Sequence, residues 1–282
     1  MLSTITLLAA LAPQASPTAN SQQFIEAVRS ASALAAPDFT GQDYIGFNPG
    51  APAMVGGLVQ TDDTLAWQVS YPTDHMAQMY FGAQKNAFPF VVIIEDNEGS
   101  EVYRSAKNGM TQEVSFQPKP NEQYIVVVQP EITGPTRTAQ VVGILGIVGR
   151  GMEFKPSQFV STAQKLVREA RPSISGSGFV DGMNCFAVPL MAGTAAGFDA
   201  QEAGRTQLRN TMVVVNDGRA SSFKAELRTP DEALVGSSRR QGLAQALRIT
   251  VDVNATGHHG ALLHLTNTSK SHSLFMGAIA AK

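Results

Sequence analysis

One stretch occurs twice, and that constrains this chain more than anything else in it. Residues 23–37, opening with Gln23 and Phe24 and closing at Pro37, align without a gap on residues 158–172, which open with Gln158 and Phe159 and close at Pro172, an offset of 135. Phe24, Ala27, Val28, Ala31, Leu34 and Ala35 recur at the spacing of one helical face, and so do Phe159, Ala163, Leu166, Val167 and Ala170. Each segment is expected to be an amphipathic helix that needs a surface to lie against. Proline ends both, because its ring bars the preceding residue from the helical region and removes a backbone donor. Ser157 suits the second helix's N-cap, and Arg168 and Arg171 suit the negative end of its dipole.

A helix repeated at this separation implies a repeated unit. Further pairs come in the same order: residues 57–59 with 178–180, 81–84 with 198–201, and 92–96 with 213–217. The offset falls from 135 to 121 at Gly57, which assigns the first copy about 14 extra residues after its helix. Beyond each helix the chain reads as strands. Residues 65–71 alternate apolar and polar, 90–94 form an apolar run, and Asp96 to Gly99 make a hairpin turn before Val102. Residues 113–116, 124–128 and 139–145 continue the series. The second half offers 185–188, 212–215, 223–227, 246–253, 261–265 and 274–279. Short strands with turns and no intervening long helix predict a mainly β chain of two tandem antiparallel β-sandwich domains, each preceded by an amphipathic helix. The expected division is 1–20, an export segment, then 21–150 and 151–282.

Certain features make the strand regions resemble the bacterial pre-peptidase C-terminal type of β-sandwich. These are a glycine-led strand (Gly57 to Val59), a polar turn (Asp62, Asp63), an apolar strand ending in Asp96, the hairpin glycine Gly99, and a Tyr124-led strand. The second copy offers Gly178 to Val180, Asp181, Gly182, Val213 to Asp217 and Gly218, with Leu247 or Arg248 where an aromatic is expected. The resemblance implies a non-catalytic accessory or binding module of a secreted protein and supplies no catalytic residue.

Residues 1–12 contain an apolar run of export-signal length followed by Pro13, Ala15 and Pro17, without a Lys or Arg ahead of it. Secretion or a periplasmic location is therefore expected. No apolar window approaches the ~18 residues of a membrane-spanning helix. A net charge of −2 argues against a nucleic-acid partner, and the single cysteine cannot form an internal disulfide.

Catalytic motifs are missing. No Gly-x-Ser-x-Gly elbow, Walker loop or His-Glu-x-x-His occurs, and residues 175–178 have the wrong spacing for the first. Gly143, Gly146, Gly149 and Gly151 fit close packing of a strand better than a dinucleotide turn. Cys185, followed by Phe186, Ala187 and Val188, is expected to be buried and inert. His258, His259 and His264 read as a turn and a strand position, since adjacent histidines on an extended chain point apart. Asp96, Glu98 and Glu101 either ligate calcium or decorate a solvated hairpin, and the sequence leaves both open. No cofactor, metal or catalytic group is expected.

Two features suggest binding. The connection from Asp38 to Gly56 carries Phe39, Tyr44 and Phe47, aromatics that either stack on a sugar or protein partner or fold under the sandwich. Charge is also divided: residues 21–150 hold 7 Lys+Arg against 13 Asp+Glu, whereas residues 151–282 hold 14 against 10. Arg205, Arg209, Arg239 and Arg240 belong to the basic half. Unlike halves suggest head-to-tail self-association or attraction within the chain. The expected function is an exported, non-enzymatic accessory or binding module with a protein or polysaccharide partner. A self-associating surface protein is one alternative. The other is a hydrolase assembling a Ser with His264 and Asp252.

Overall fold

The computed structural model describes residues 4–7, 21–39, 44–72, 74–105, 109–132, 135–170, 185–201, 209–228, 234–241, 247–252 and 260–281. The chain begins with β1 (Thr4–Leu7), α1 (Ser21–Ala35) and a 3-10 turn at Ala36–Phe39, then β2 (Ile45–Gly46). Eight strands come next: β3 (Met54–Gln60), β4 (Leu65–Ser70), β5 (Ala77–Ala83), β6 (Phe90–Glu95), β7 (Glu101–Arg104), β8 (Thr111–Phe116), β9 (Gln123–Pro130) and β10 (Thr138–Val148). After α2 (Pro156–Ala170) come eight more: β11 (Cys185–Leu190), β12 (Ala195–Gln201), β13 (Arg209–Asn216), β14 (Ser222–Arg228), β15 (Leu234–Gln241), β16 (Leu247–Asp252), β17 (Gly260–Asn267) and β18 (Ser273–Ala281).

The first eight form sheets ordered β3-β10-β5-β8 and β4-β9-β6-β7, and the second eight form β11-β18-β13-β16 and β12-β17-β14-β15. Counted within each set, the order is first-eighth-third-sixth over second-seventh-fourth-fifth, the jelly-roll arrangement of two Greek keys. The chain is thus mainly β and built from antiparallel sandwiches, each with a helix ahead of it. Elements at equal places in the two sets start 130 to 137 residues apart, from Leu65 and Ala195 to Gln123 and Gly260. The offset of 121 and the 14-residue insertion are therefore corrected. Phe81 lies in β5 and Phe198 in β12, the third and second strands of their rolls, so that short identity joined strands that do not correspond. Val92 of β6 and Val213 of β13 are mismatched likewise. Residues 178–180 and 181–182 lie outside the described residues.

The rolls do not stand apart. β3 pairs antiparallel with β11, Val55 opposite Phe186, so the two larger sheets merge into one continuous layer. α1 and α2 cover one face of it. Phe24, Val28, Phe159 and Leu166 join Tyr80, Ile144, Cys185, Val213 and Met276 in a shared core under the helices. The smaller sheets cover the opposite face, each enclosing its own core around Trp67 or Phe275. β1 pairs in parallel with β12 at the edge of the second small sheet and also lies against β4.

Equivalent glycines show how the two cores solve one packing problem. Gly143 of β10 lies opposite Phe81 of β5 and Val55 of β3, while Gly277 of β18 lies opposite Phe186 of β11 and Val214 of β13. A Cβ on either glycine would fall 2.3 Å from a ring carbon of that phenylalanine. Each roll thus places one Phe and one Val around its glycine, taken from opposite neighbours, so the enclosed volume stays the same. Gly146 accepts Ile45 in the same way, 2.2 Å from a would-be Cβ, in keeping with close strand packing.

Candidate functional site

The connection after α1 turns inward. Phe47 is 1% exposed and packs on Phe159, Phe154 and Phe39 with ring centroids 5.3, 6.2 and 6.0 Å apart. Phe47 also bridges to Met152 through the backbone, which pins the connection beneath the helices. Phe39 and Tyr44 are half-buried. Phe47 therefore serves the core, because a ring enclosed on this scale has no face left for a ligand; the expectation that it stacks on a partner is corrected.

An open cleft of about 660 Å³ lies instead at one end of the second roll, lined by Met152, Met191, Ala192, Arg219, Lys270, Ser271 and His272. These residues come from the β11–β12, β13–β14 and β17–β18 turns and from the segment before α2. The turn between β13 and β14 is tightly held. Gly218 takes φ +99°, and Asn216 accepts from its N–H at 2.9 Å. The Asp217 carboxylate accepts a short hydrogen bond from the Ser273 hydroxyl, and further bonds from Gln158 Nε2 at 3.2 Å and the Arg219 N–H at 3.1 Å. Lys165 of α2 donates to the Asn216 carbonyl at 3.1 Å, and its burial holds the ammonium below the usual lysine range.

That clamp positions Arg219. Its guanidinium sits 5.6 Å over the Phe154 ring, its Nε is 3.6 Å from Asp217, and its Nη1 meets His272 Nε2 at 3.2 Å. Asp217 is spent on these contacts, with a side chain only 2% exposed. Arg219, Lys270 and His272 are exposed, so the cleft offers cationic donors beside the apolar flank of Met191, half of whose surface faces solvent. The same end of the first roll is bonded across its turns: Arg137 Nη2 donates to the Asn86 carbonyl at 3.1 Å, Thr61 N–H to the Arg137 carbonyl at 3.0 Å, and the Thr136 hydroxyl to Asp62 at 3.4 Å.

Register sorts the expected arginines. Arg240 is opposite Phe223 and Arg239 opposite Lys224, near the start of β14, which puts both at the cleft end of the second small sheet. Arg209 opens β13 and so lies at the other end of that strand, opposite Asp252. Arg205, His258, His259 and residues 175–178 lie outside the described residues. His264 lies in β17 of the smaller sheet and Asp252 at the end of β16 in the larger one. Ser273 bonds Asp217 directly while His272 turns to Arg219, an arrangement that holds a turn.

Cys185 is fully buried over Gly56, and burial pushes its thiol up to about 12. Asp96 caps its own hairpin, accepting from the Glu98 and Ser100 N–H groups at 2.9 Å each. Glu101 pairs with Arg104 at 2.6 Å, and that hydrogen bond lowers its carboxyl below the usual range. Among the described residues, no group of three acidic, His or Cys side chains could hold a metal ion, and no helix is long and apolar enough to cross a membrane.

No protein-family model matches the chain, and no curated protein matches it. Among solved structures it is similar to a tandem CBM22 domain of Paenibacillus barcinonensis Xyn10C, at 10% identity over 80% of this chain and 94% of that one, TM-score 0.24. It is also similar to tandem CBM51 modules of a Streptococcus pneumoniae family 98 glycoside hydrolase, at 14% identity over 80% and 83%, TM-score 0.25. A third is a cupin domain from Bordetella pertussis, at 19% identity over 36% and 81%, TM-score 0.19. TM-scores this low carry no argument about function, and the pre-peptidase C-terminal resemblance finds no match among family models.

Proposed function

We propose that this protein is a non-catalytic binding module, exported to the periplasm or cell exterior, whose second jelly roll carries a cleft for a ligand bearing negative charge. The reading divides it into an export segment 1–20 and two diverged copies, 21–150 and 151–282. The observation that supports it best is the contrast between the copies. The first roll ties its turns together through Arg137, whereas the second leaves an open cleft with Arg219 oriented by Asp217 and Phe154. A volume of about 660 Å³ falls within the roughly 300–1,000 Å³ usual for ligand sites. An arginine held by Asp217 and Phe154, with the exposed Lys270 and a methionine flank beside it, suits an anionic group attached to an apolar body. Arg239 and Arg240 add positive charge at the same end, which would raise the encounter rate.

Calorimetric titration of the whole chain with a uronic-acid hexamer and with a neutral hexasaccharide tests this. The acidic ligand should bind, and Arg219→Ala or Lys270→Ala should weaken it about tenfold or more, the scale of a hydrogen bond to a charged group. Equal binding of both sugars, untouched by either substitution, would refute the cleft as the site.

A further inference from the structure

We infer that the cleft's anionic ligand is the acidic β6–β7 hairpin of a second copy of this chain, and that two copies close reciprocally into a two-fold dimer. This rests on reading the cleft as an anion-accepting site. The first support is topological. In the first roll, Ser70 at the end of β4 is opposite Gln123, and Glu95 at the end of β6 is opposite Ile125, so the β6–β7 turn lies at the end of the roll where β4 finishes. In the second roll, β11 runs antiparallel to β3, which brings Leu190 and Met191 beside the start of β3 at that same end. The Gly50 N–H, just before β3, donates to the Pro189 carbonyl at 2.8 Å. Hairpin and cleft therefore face the same way.

They are also displaced sideways. β6 and β7 lie at the outer edge of the first small sheet, and the cleft lies over the second roll. With strands ~4.8 Å apart, the five or so intervening spacings make roughly 25 Å, too far for the hairpin to reach its own cleft. A two-fold axis perpendicular both to the direction they face and to the line between them turns the second copy over and exchanges them, setting each hairpin on the other copy's cleft. Such an isologous contact closes after two subunits. The division of charge suggested a head-to-tail chain of molecules, but the antiparallel joining of the rolls favours closure.

The chemistry matches. The hairpin holds Glu95, Asp96, Glu98 and Glu101 against Arg104 alone. Glu98 stands exposed at the tip beside Gly99, which takes φ +78°. Exposed ion pairs contribute little by themselves. Val102, 47% exposed on the hairpin, and Met191, 50% exposed at the cleft, supply apolar surface to bury with them.

Sedimentation of the whole chain, with Glu98→Lys, Lys270→Glu and the double variant, decides the matter. A dimer is expected that weakens as salt rises from about 0.1 to 1 M, where the screening length falls from ~10 to ~3 Å. Each single reversal should weaken it about tenfold, and the double variant should recover most of that loss. A chain monomeric at all concentrations, or a double variant no better than the singles, overturns the inference. A monomer that still binds the uronic-acid hexamer through Arg219 overturns the dimer and leaves the binding reading standing. A dimer indifferent to all three variants, with no acidic ligand bound, overturns both.

Discussion

Replacing Gly277 with alanine tests the packing logic of the two rolls. The added Cβ would lie 2.3 Å from Cζ and 2.6 Å from Cε1 of Phe186, where carbon contacts normally settle at about 3.5–4.0 Å. The ring must retreat by more than an ångström. Phe186 is only 3% exposed and is packed among Val188, Leu190, Phe223 and Phe275, so the movement meets a filled core. Overpacking of this kind costs about 1–3 kcal/mol. Gly197, in β12, has nothing within 4 Å of a would-be Cβ and serves as the control. Urea denaturation at constant m should show Gly277→Ala destabilised by that amount, Gly197→Ala within about 0.5 kcal/mol of the parent, and Gly277→Ala with Phe186→Leu partly restored. Gly143→Ala should behave like Gly277→Ala, since its Cβ would fall 2.3 Å from Phe81 Cε1. A Gly277→Ala protein as stable as its parent would refute the volume argument.

Phe24→Ala and Phe159→Ala, both emptying the core under the helices, should each cost about 3–5 kcal/mol by calorimetry, and a loss under about 1 kcal/mol would show that the cavity collapses freely. Asp217→Asn should loosen Arg219 and reduce acidic-ligand affinity several-fold while leaving far-ultraviolet dichroism unchanged; unaltered affinity would remove Asp217's positioning role. Cys185 should resist thiol reagents in the native protein and react on unfolding. Burial raises its thiol, and desolvation likewise raises the Tyr71 and Tyr80 hydroxyls, so their contribution to stability is complete below their unfolded values. Stability should then fall as pH rises above about 9, where the unfolded chain releases protons that the folded chain keeps, and Cys185→Ala should lessen that slope.

The helices were legible because an amphipathic stripe leaves a periodic record. Six positions from Phe24 to Ala35 all face the core except Leu34, which packs partly buried against it. Strands such as Leu65–Ser70 were legible from alternation, burial falling on every second residue. Ala77–Ala83 escaped recognition as a strand because it is buried on both faces, helices above and sandwich core below, and so shows no alternation. Short partial matches of three to five residues do not mark corresponding strands, since apolar residues are common in any strand. Pairing order, which does identify the repeat, leaves no mark in a linear comparison. The cleft was not legible at all. Met152, Met191, Arg219 and His272 are drawn from four places in the chain and meet only because β11, β13 and β18 share a layer.

The pairing of β3 with β11 also has a consequence in time. A ribosome releases Met54 131 residues before Cys185, roughly 7–26 s at about 5–20 residues per second. Throughout that interval the first roll carries a bare strand edge, and α1 lacks the α2 surface it packs against. Nascent chains would be exposed to mispairing with their neighbours on the same message, and a holding chaperone or a slow passage across a membrane would protect the half-made sheet until its other half arrives.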